Sequence, residues 1–178
     1  RIVDLLAPGS VIAFRTALEM VPTPDGTIFL MGSGRHRIDL PGLRLRIIKG
    51  PGPMAGDQAF MEHLHIASPP RALLESLKPS RAGSTVPRGL PRGRIEEILE
   101  RDLQSGGEAS LNRRRDAARA LVHELDAAGE FEVLNSIIGA LLGSRRGGLT
   151  APAALARAAG EPYDPLRLER FQSLHVAL

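Results

Sequence analysis

Two histidines, a group of carboxylates, an arginine run and a glycine–proline loop are the residues of this chain whose types and spacing bear on chemistry. His63 and His65 stand two apart in a short apolar stretch, so on a strand both rings face one side, as two metal ligands would. Glu62 faces the opposite side and His36 would have to come from another strand, so the polar face of a half-exposed strand accounts for the pair more simply. Glu96, Glu97, Glu100 and Asp102 gather four carboxylates, but acid–base work needs two whose surroundings split their pKa values. These four interleave with Arg94 and Arg101 opposite an Ile/Leu stripe, the pattern of a solvated, ion-paired helix face. Arg113, Arg114 and Arg115, with Arg119, are the candidate phosphate or DNA contacts. Glu108 and Asp116 dilute them, and no aromatic residues interleave for stacking on bases. Gly50-Pro51-Gly52-Pro53 lacks half the N–H groups a phosphate cradle needs, and no Gly-Lys-Ser/Thr follows, so it is expected to be a linker. No Gly-x-Ser-x-Gly, His-Glu-x-x-His or calcium-loop pattern occurs, and no catalytic, cofactor-binding or metal residue is assigned.

The elements that must position these groups fall into two textures. Ser10 caps an expected short helix carrying Val11, Ile12, Phe14, Ala17 and Leu18. After the turn cluster Pro22-Thr23-Pro24-Asp25-Gly26, the β-branched and apolar run Thr27–Met31 predicts a strand. His36–Leu40 predicts a second. Leu43, Leu45 and Ile47 alternate with Arg44 and Arg46 to predict a third, half-buried one. Tight turns between the three suggest an antiparallel meander. His63–Ile66 predicts a further strand, and Ser68-Pro69 opens a helix carrying Leu73, Leu74 and Leu77. Residues 80–93 hold prolines, glycines and basic or hydroxyl residues without periodicity, and are expected to be a linker. Three helices follow, with stripes at Ile95, Ile98, Leu99 and Leu103, then Leu111, Ala118, Val122 and Leu125, then Phe131, Leu134, Ile138 and Leu141. Gly106-Gly107, Gly129 and Gly143 are their expected ends. A last helix from about Asp164 carries Leu168, Phe171 and Leu174.

The expected fold class is therefore α+β: a small, mostly antiparallel sheet with flanking helices in 1–79, a linker in 80–93, and an α-helical lobe in 94–178. With 178 residues and 43% of them hydrophobic, the chain has enough to bury a core, and with five Phe, one Tyr and no Trp that core must be aliphatic. The net charge of +3 is small for a dedicated nucleic-acid binder. The absence of cysteine excludes disulfides, thiolate metal sites and a cysteine nucleophile. No apolar run reaches membrane-spanning length and no signal peptide opens the chain, so a cytoplasmic protein is expected.

Several segments together carry a resemblance: Pro22-Thr23-Pro24-Asp25-Gly26-Thr27, Leu40-Pro41-Gly42-Leu43, Gly50-Pro51-Gly52-Pro53 with Gly56-Asp57, and Ala67-Ser68 with Arg71-Ala72-Leu73-Leu74-Glu75. Lys78-Pro79-Ser80-Arg81, Ile137-Ile138-Gly139-Ala140-Leu141-Leu142-Gly143 and Gly160-Glu161-Pro162-Tyr163-Asp164 extend it over nearly all the chain. This succession resembles the region upstream of the catalytic domain in long bacterial Fic (filamentation induced by cAMP) proteins. The Ser-x-x-Arg-Ala-Leu-Leu helix start also resembles the AbiEi antitoxins, which regulate a nucleotidyltransferase toxin. Fic enzymes transfer AMP from a nucleotide to a target hydroxyl, through the signature His-x-Phe-x-x-Gly-Asn-Gly-Arg. Thr27 to Arg35 matches its spacing, but Thr27 stands where the histidine base would be and Ser33 where the asparagine would be. A threonine hydroxyl is no general base near neutrality, so this stretch is expected to be a turn between two strands.

The resemblance thus implies a non-catalytic accessory or regulatory segment of a Fic-type AMP-transferase polypeptide, whose chemistry lies beyond Leu178. Its implied partners are its own C-terminal catalytic domain and a target protein, docked through Leu168, Phe171 and Leu174. No membrane partner is implied, and nucleic acid is not favoured. No cofactor belongs to this chain; ATP and Mg are implied only for a downstream Fic domain. The alternatives are an antitoxin-like transcriptional regulator, binding DNA through Arg113, Arg114, Arg115 and Arg119 or binding a nucleotidyltransferase toxin, and a free-standing transferase.

Overall fold

The computed structural model describes residues 2–80 and 86–158, so the face expected at Leu168, Phe171 and Leu174 lies outside the described residues. Two compact units are present, Arg1–Ile138 and Gly139–Leu178. In the first, α1 (Ile2–Leu6), β1 (Val11–Ile12) and α2 (Phe14–Glu19) precede the strands β2 (Thr27–Gly32), β3 (His36–Leu40), β4 (Leu43–Lys49), β5 (Gln58–Phe60) and β6 (Leu64–Ile66). The helices α3 (Pro69–Leu77), α4 (Arg92–Leu125) and α5 (Ala128–Ala158) follow. The fold is α+β, with one six-stranded mixed sheet in the order β3-β4-β2-β1-β6-β5.

The expected meander is corrected by this order. β3 and β4 pair antiparallel, but β4 lies parallel beside β2, and β3 is left at the edge. Burial decides it. Leu45 and Ile47 are fully buried and need a neighbour on each side, whereas His36, Arg37 and Asp39 are exposed, and charge suits an edge. The helix expected from Ser10 begins only at Phe14. Val11 and Ile12 instead form a two-residue strand between β2 and β6, with Val11 opposite Met31 and His65. A β-branched pair that seals a sheet between two distant strands leaves no local signal of it.

The sheet is packed on both faces at β2. Leu30 joins Ile12, Leu45 and Ile47 on one side. Phe29 and Met31 meet Ala13 and Phe14 on the other, with Ile48 and Val86 at the margin. Phe14 turns the chain from β1 into α2 with a left-handed φ of 56°. Residues 80–93 are no free tether where they are described. The Arg15 N–H donates to the Arg88 carbonyl at 3.2 Å, Leu90 is buried, and α4 packs on α3. The expected domain boundary therefore falls inside the first compact unit.

α4 breaks at Gly107 (φ 65°, ψ −173°), where the glycine pair predicts an end. Arg114 forms an ion pair with Asp102 across that break. Twelve residues of continuous helix would hold them roughly 18 Å apart, so the two halves fold back on each other. Lys78 donates to the Leu125 carbonyl at 2.5 Å and satisfies the α4 C-terminus. α5 runs through Gly139 and Gly143 to Ala158 instead of ending at Gly143. A single glycine costs a helix only about 1 kcal/mol, too little by itself to end one.

Candidate functional site

The strand alternation that buries Leu45 and Ile47 on one face of β4 puts Arg44 and Arg46 on the other. The same face of β2 carries Thr27 and Phe29, in register with Arg44 and Arg46, and Arg37 of β3 lies directly opposite Arg46. From Arg44 to Ile48 this face lines a cleft of about 440 Å³. Arg35, Arg37, Arg44, Arg46 and Arg88 line it, with Asp25 and His36. The floor is built. The Phe14 and Phe29 rings meet edge to face at 6.4 Å. The Arg46 guanidinium lies 5.7 Å over Phe29 and that of Arg88 lies 5.2 Å over Phe14. Each cation thus sits against the face of a buried ring.

Two aspartates partly balance the arginines. Asp39 accepts from Arg37 at 2.8 Å and from Arg44 at 2.9 Å, and these bonds hold its carboxyl below the ordinary value. Asp25 accepts from the Thr23 hydroxyl at 2.5 Å and from Arg44 at 3.1 Å. The Thr23 bond is the main reason its carboxyl too is lowered. Five arginines against these two leave a local excess of +3, equal to the net charge of the whole chain. The cleft is therefore a locally basic concave face.

A buried ion cluster lies on the same side of the sheet as Phe29, against Met31. Arg71, fully buried, donates to Glu75 Oε1 at 2.7 Å, to the Pro51 and Gly52 carbonyls at 2.9 Å each, and to Asp57. Asp57 also accepts the Met54 and Ser68 N–H groups at 2.9 and 2.8 Å, and Glu75 accepts the N–H of Phe14 at 3.4 Å. The loop expected to be a linker is instead pinned by α3, and the same cluster reaches the left-handed Phe14. Two carboxylates share one guanidinium, and burial pushes the Glu75 carboxyl above its ordinary 4.5 despite Arg71. A raised folded-state value means that Glu75's contribution is fully present below 4.5 and is lost as pH rises through the raised value. Glu75→Gln is expected to flatten stability against pH in that window, read from urea midpoints. A mutant as pH-dependent there as the parent would contradict this.

Of the other residues singled out in the sequence, Glu96 and Glu97 pair with Arg92 and Arg94 on the exposed face of α4. Arg114 is taken by Asp102, Arg119 by Asp116 and the Phe131 ring, and Arg115 lies 4.0 Å from Asp116. Arg113 is exposed. His65 lies on β6 and His63 just before it, with no third ligand: among the described residues no three His, Asp or Glu side chains gather as metal ligands. Thr27–Arg35 is β2 and the turn after it. Sequence reasoning missed the cleft, although the Arg44-x-Arg46 alternation was its signal, and missed Arg71 as a buried centre. No family model matches the chain, and no curated protein or solved structure matches it either. No described helix is long and apolar enough to cross a membrane.

Proposed function

We propose that this chain is a non-catalytic recognition segment of a Fic-type AMP-transferase polypeptide, and that it docks an acidic partner surface in its arginine-lined cleft. The observation that supports this is the gathering of five arginines against two aspartates on one concave, aromatic-floored face. Charge so placed steers encounter and selects partners, and it calls for no acid, base or nucleophile. Phe14 and Phe29 are 1% exposed, so they cannot stack on bases, and an acidic protein surface suits the cleft better than single-stranded nucleic acid.

Titration of the chain with a polyglutamate peptide tests the docking. Binding is expected at low salt, weakening as salt is raised, and lost in Arg46→Glu. No binding, or equal binding by the charge-reversed variant, contradicts it. Tighter binding to duplex DNA than to the peptide replaces it with the antitoxin-like reading. The Fic context is tested in the reading frame: a His-x-Phe-x-x-Gly-Asn-Gly-Arg encoded beyond Leu178 supports it, and a frame that ends without one removes it.

A further inference from the structure

We infer that the cleft contains a binding site for a phosphate group carried as an ester, on a nucleotide or on a phosphorylated side chain. This rests on the docking reading and sharpens it. Arg37 and Arg46 are direct cross-strand partners on one face, an arrangement in which like charges repel and weaken the sheet. Arg44 sits beside Arg46's position on the same strand face, and both oxygens of Asp39 are already engaged, Oδ1 by Arg37 and Arg44 and Oδ2 by Arg37. A further single carboxylate would bring one charge and two oxygens to a site holding a +3 excess. A phosphate monoester brings nearly two charges and three oxygens, and matches the guanidinium fork in the same bidentate way.

The geometry is set before any ligand arrives. The Arg46 and Arg88 guanidiniums, from two different parts of the chain, lie over the Phe29 and Phe14 rings at 5.7 and 5.2 Å, so two of the cations are already gathered at the cleft. Arg35 stands exposed at the turn entering β3, and no ion pair or hydrogen bond engages it among the described residues. The cleft volume of about 440 Å³ exceeds the need of a bare phosphate and falls in the range of small-ligand sites, which leaves room for the organic part of an ester.

Isothermal titration of the chain distinguishes the possibilities with four probes: AMP, inorganic phosphate, a phosphoserine peptide, and the same peptide with glutamate in place of phosphoserine. AMP or the phosphopeptide is expected to bind about tenfold or more tightly than the glutamate peptide. Whichever of the two binds identifies the source of the phosphate. Arg46→Lys, which keeps the charge and loses the fork and the stacking plane, is expected to weaken that binding about tenfold. Arg35→Met, at an exposed position that leaves the fold intact, is expected to weaken it severalfold, while Arg113→Met leaves it unchanged. Affinity for both AMP and the phosphopeptide no greater than for the glutamate peptide overturns the phosphate site and leaves the docking reading standing. Binding by none of the four probes overturns both.

Discussion

Replacing Arg71 by methionine is expected to destabilise the chain by about 3–5 kcal/mol, the cost of leaving buried charge without its partner. The side chain is fully buried and holds four things at once: Asp57, Glu75 and the carbonyls of Pro51 and Gly52. Methionine fills much of the same volume, so the loss comes from the two carboxylates rather than from a cavity. For a chain of this size each kcal/mol moves the midpoint by about 2–4 °C, so a fall of roughly 10 °C in Tm should be visible by thermal melting monitored by circular dichroism. A change below about 1 kcal/mol would show that the cluster is a bystander. Adding Glu75→Gln to Arg71→Met should recover part of the loss, because it removes one of the stranded charges and keeps an acceptor for the Phe14 N–H.

Phe29→Ala is expected to cost a similar amount, about 3–5 kcal/mol, for a different reason. Phe29 is 1% exposed at the centre of β2, flanked by β4 and β1, and its ring meets Phe14 edge to face. Truncation leaves a cavity that the sheet cannot close, because Phe29 is fixed in register with Arg46 on the neighbouring strand. Arg46 also loses the ring it lies on, so the variant should bind anionic ligands more weakly than stability alone explains. Phe29→Leu separates the two effects. It restores most of the packing, to within about 1.5 kcal/mol, but not the aromatic face. Equal affinity in Phe29→Leu and the parent would show that the ring plays no part in orienting Arg46.

Much of the fold was legible because its signals are local. The alternation of Leu43, Leu45 and Ile47 with arginines, the Pro24-Asp25-Gly26 turn, Pro69 at the first turn of α3 and the break at Gly107 each act within a few residues. The α+β class followed from them. The site was legible only in part. Arg44 and Arg46 were visible as the outward half of an alternation, which by itself describes an ordinary solvated strand face. That they line a cleft depends on Arg37 coming from the edge strand and Arg88 from a segment some forty residues later in the chain.

Sequence alone determined that this chain has a sheet-forming first part and a helical second part, no thiol chemistry and a small positive charge; the core is mostly aliphatic, but one cluster of it is built on the Phe14–Phe29 pair. Only the tertiary structure decided where that charge sits and what holds it. Strand order is a long-range choice, set by which strands can bury both neighbours, and it placed β4 beside β2 and left charged β3 at the edge. Arg71 illustrates the same division. In the sequence it is one arginine in a helix start that reads Arg-Ala-Leu-Leu-Glu. In the fold it is cut off from water, and a buried guanidinium is tolerable there only because loop carbonyls and two carboxylates from separate segments converge on it.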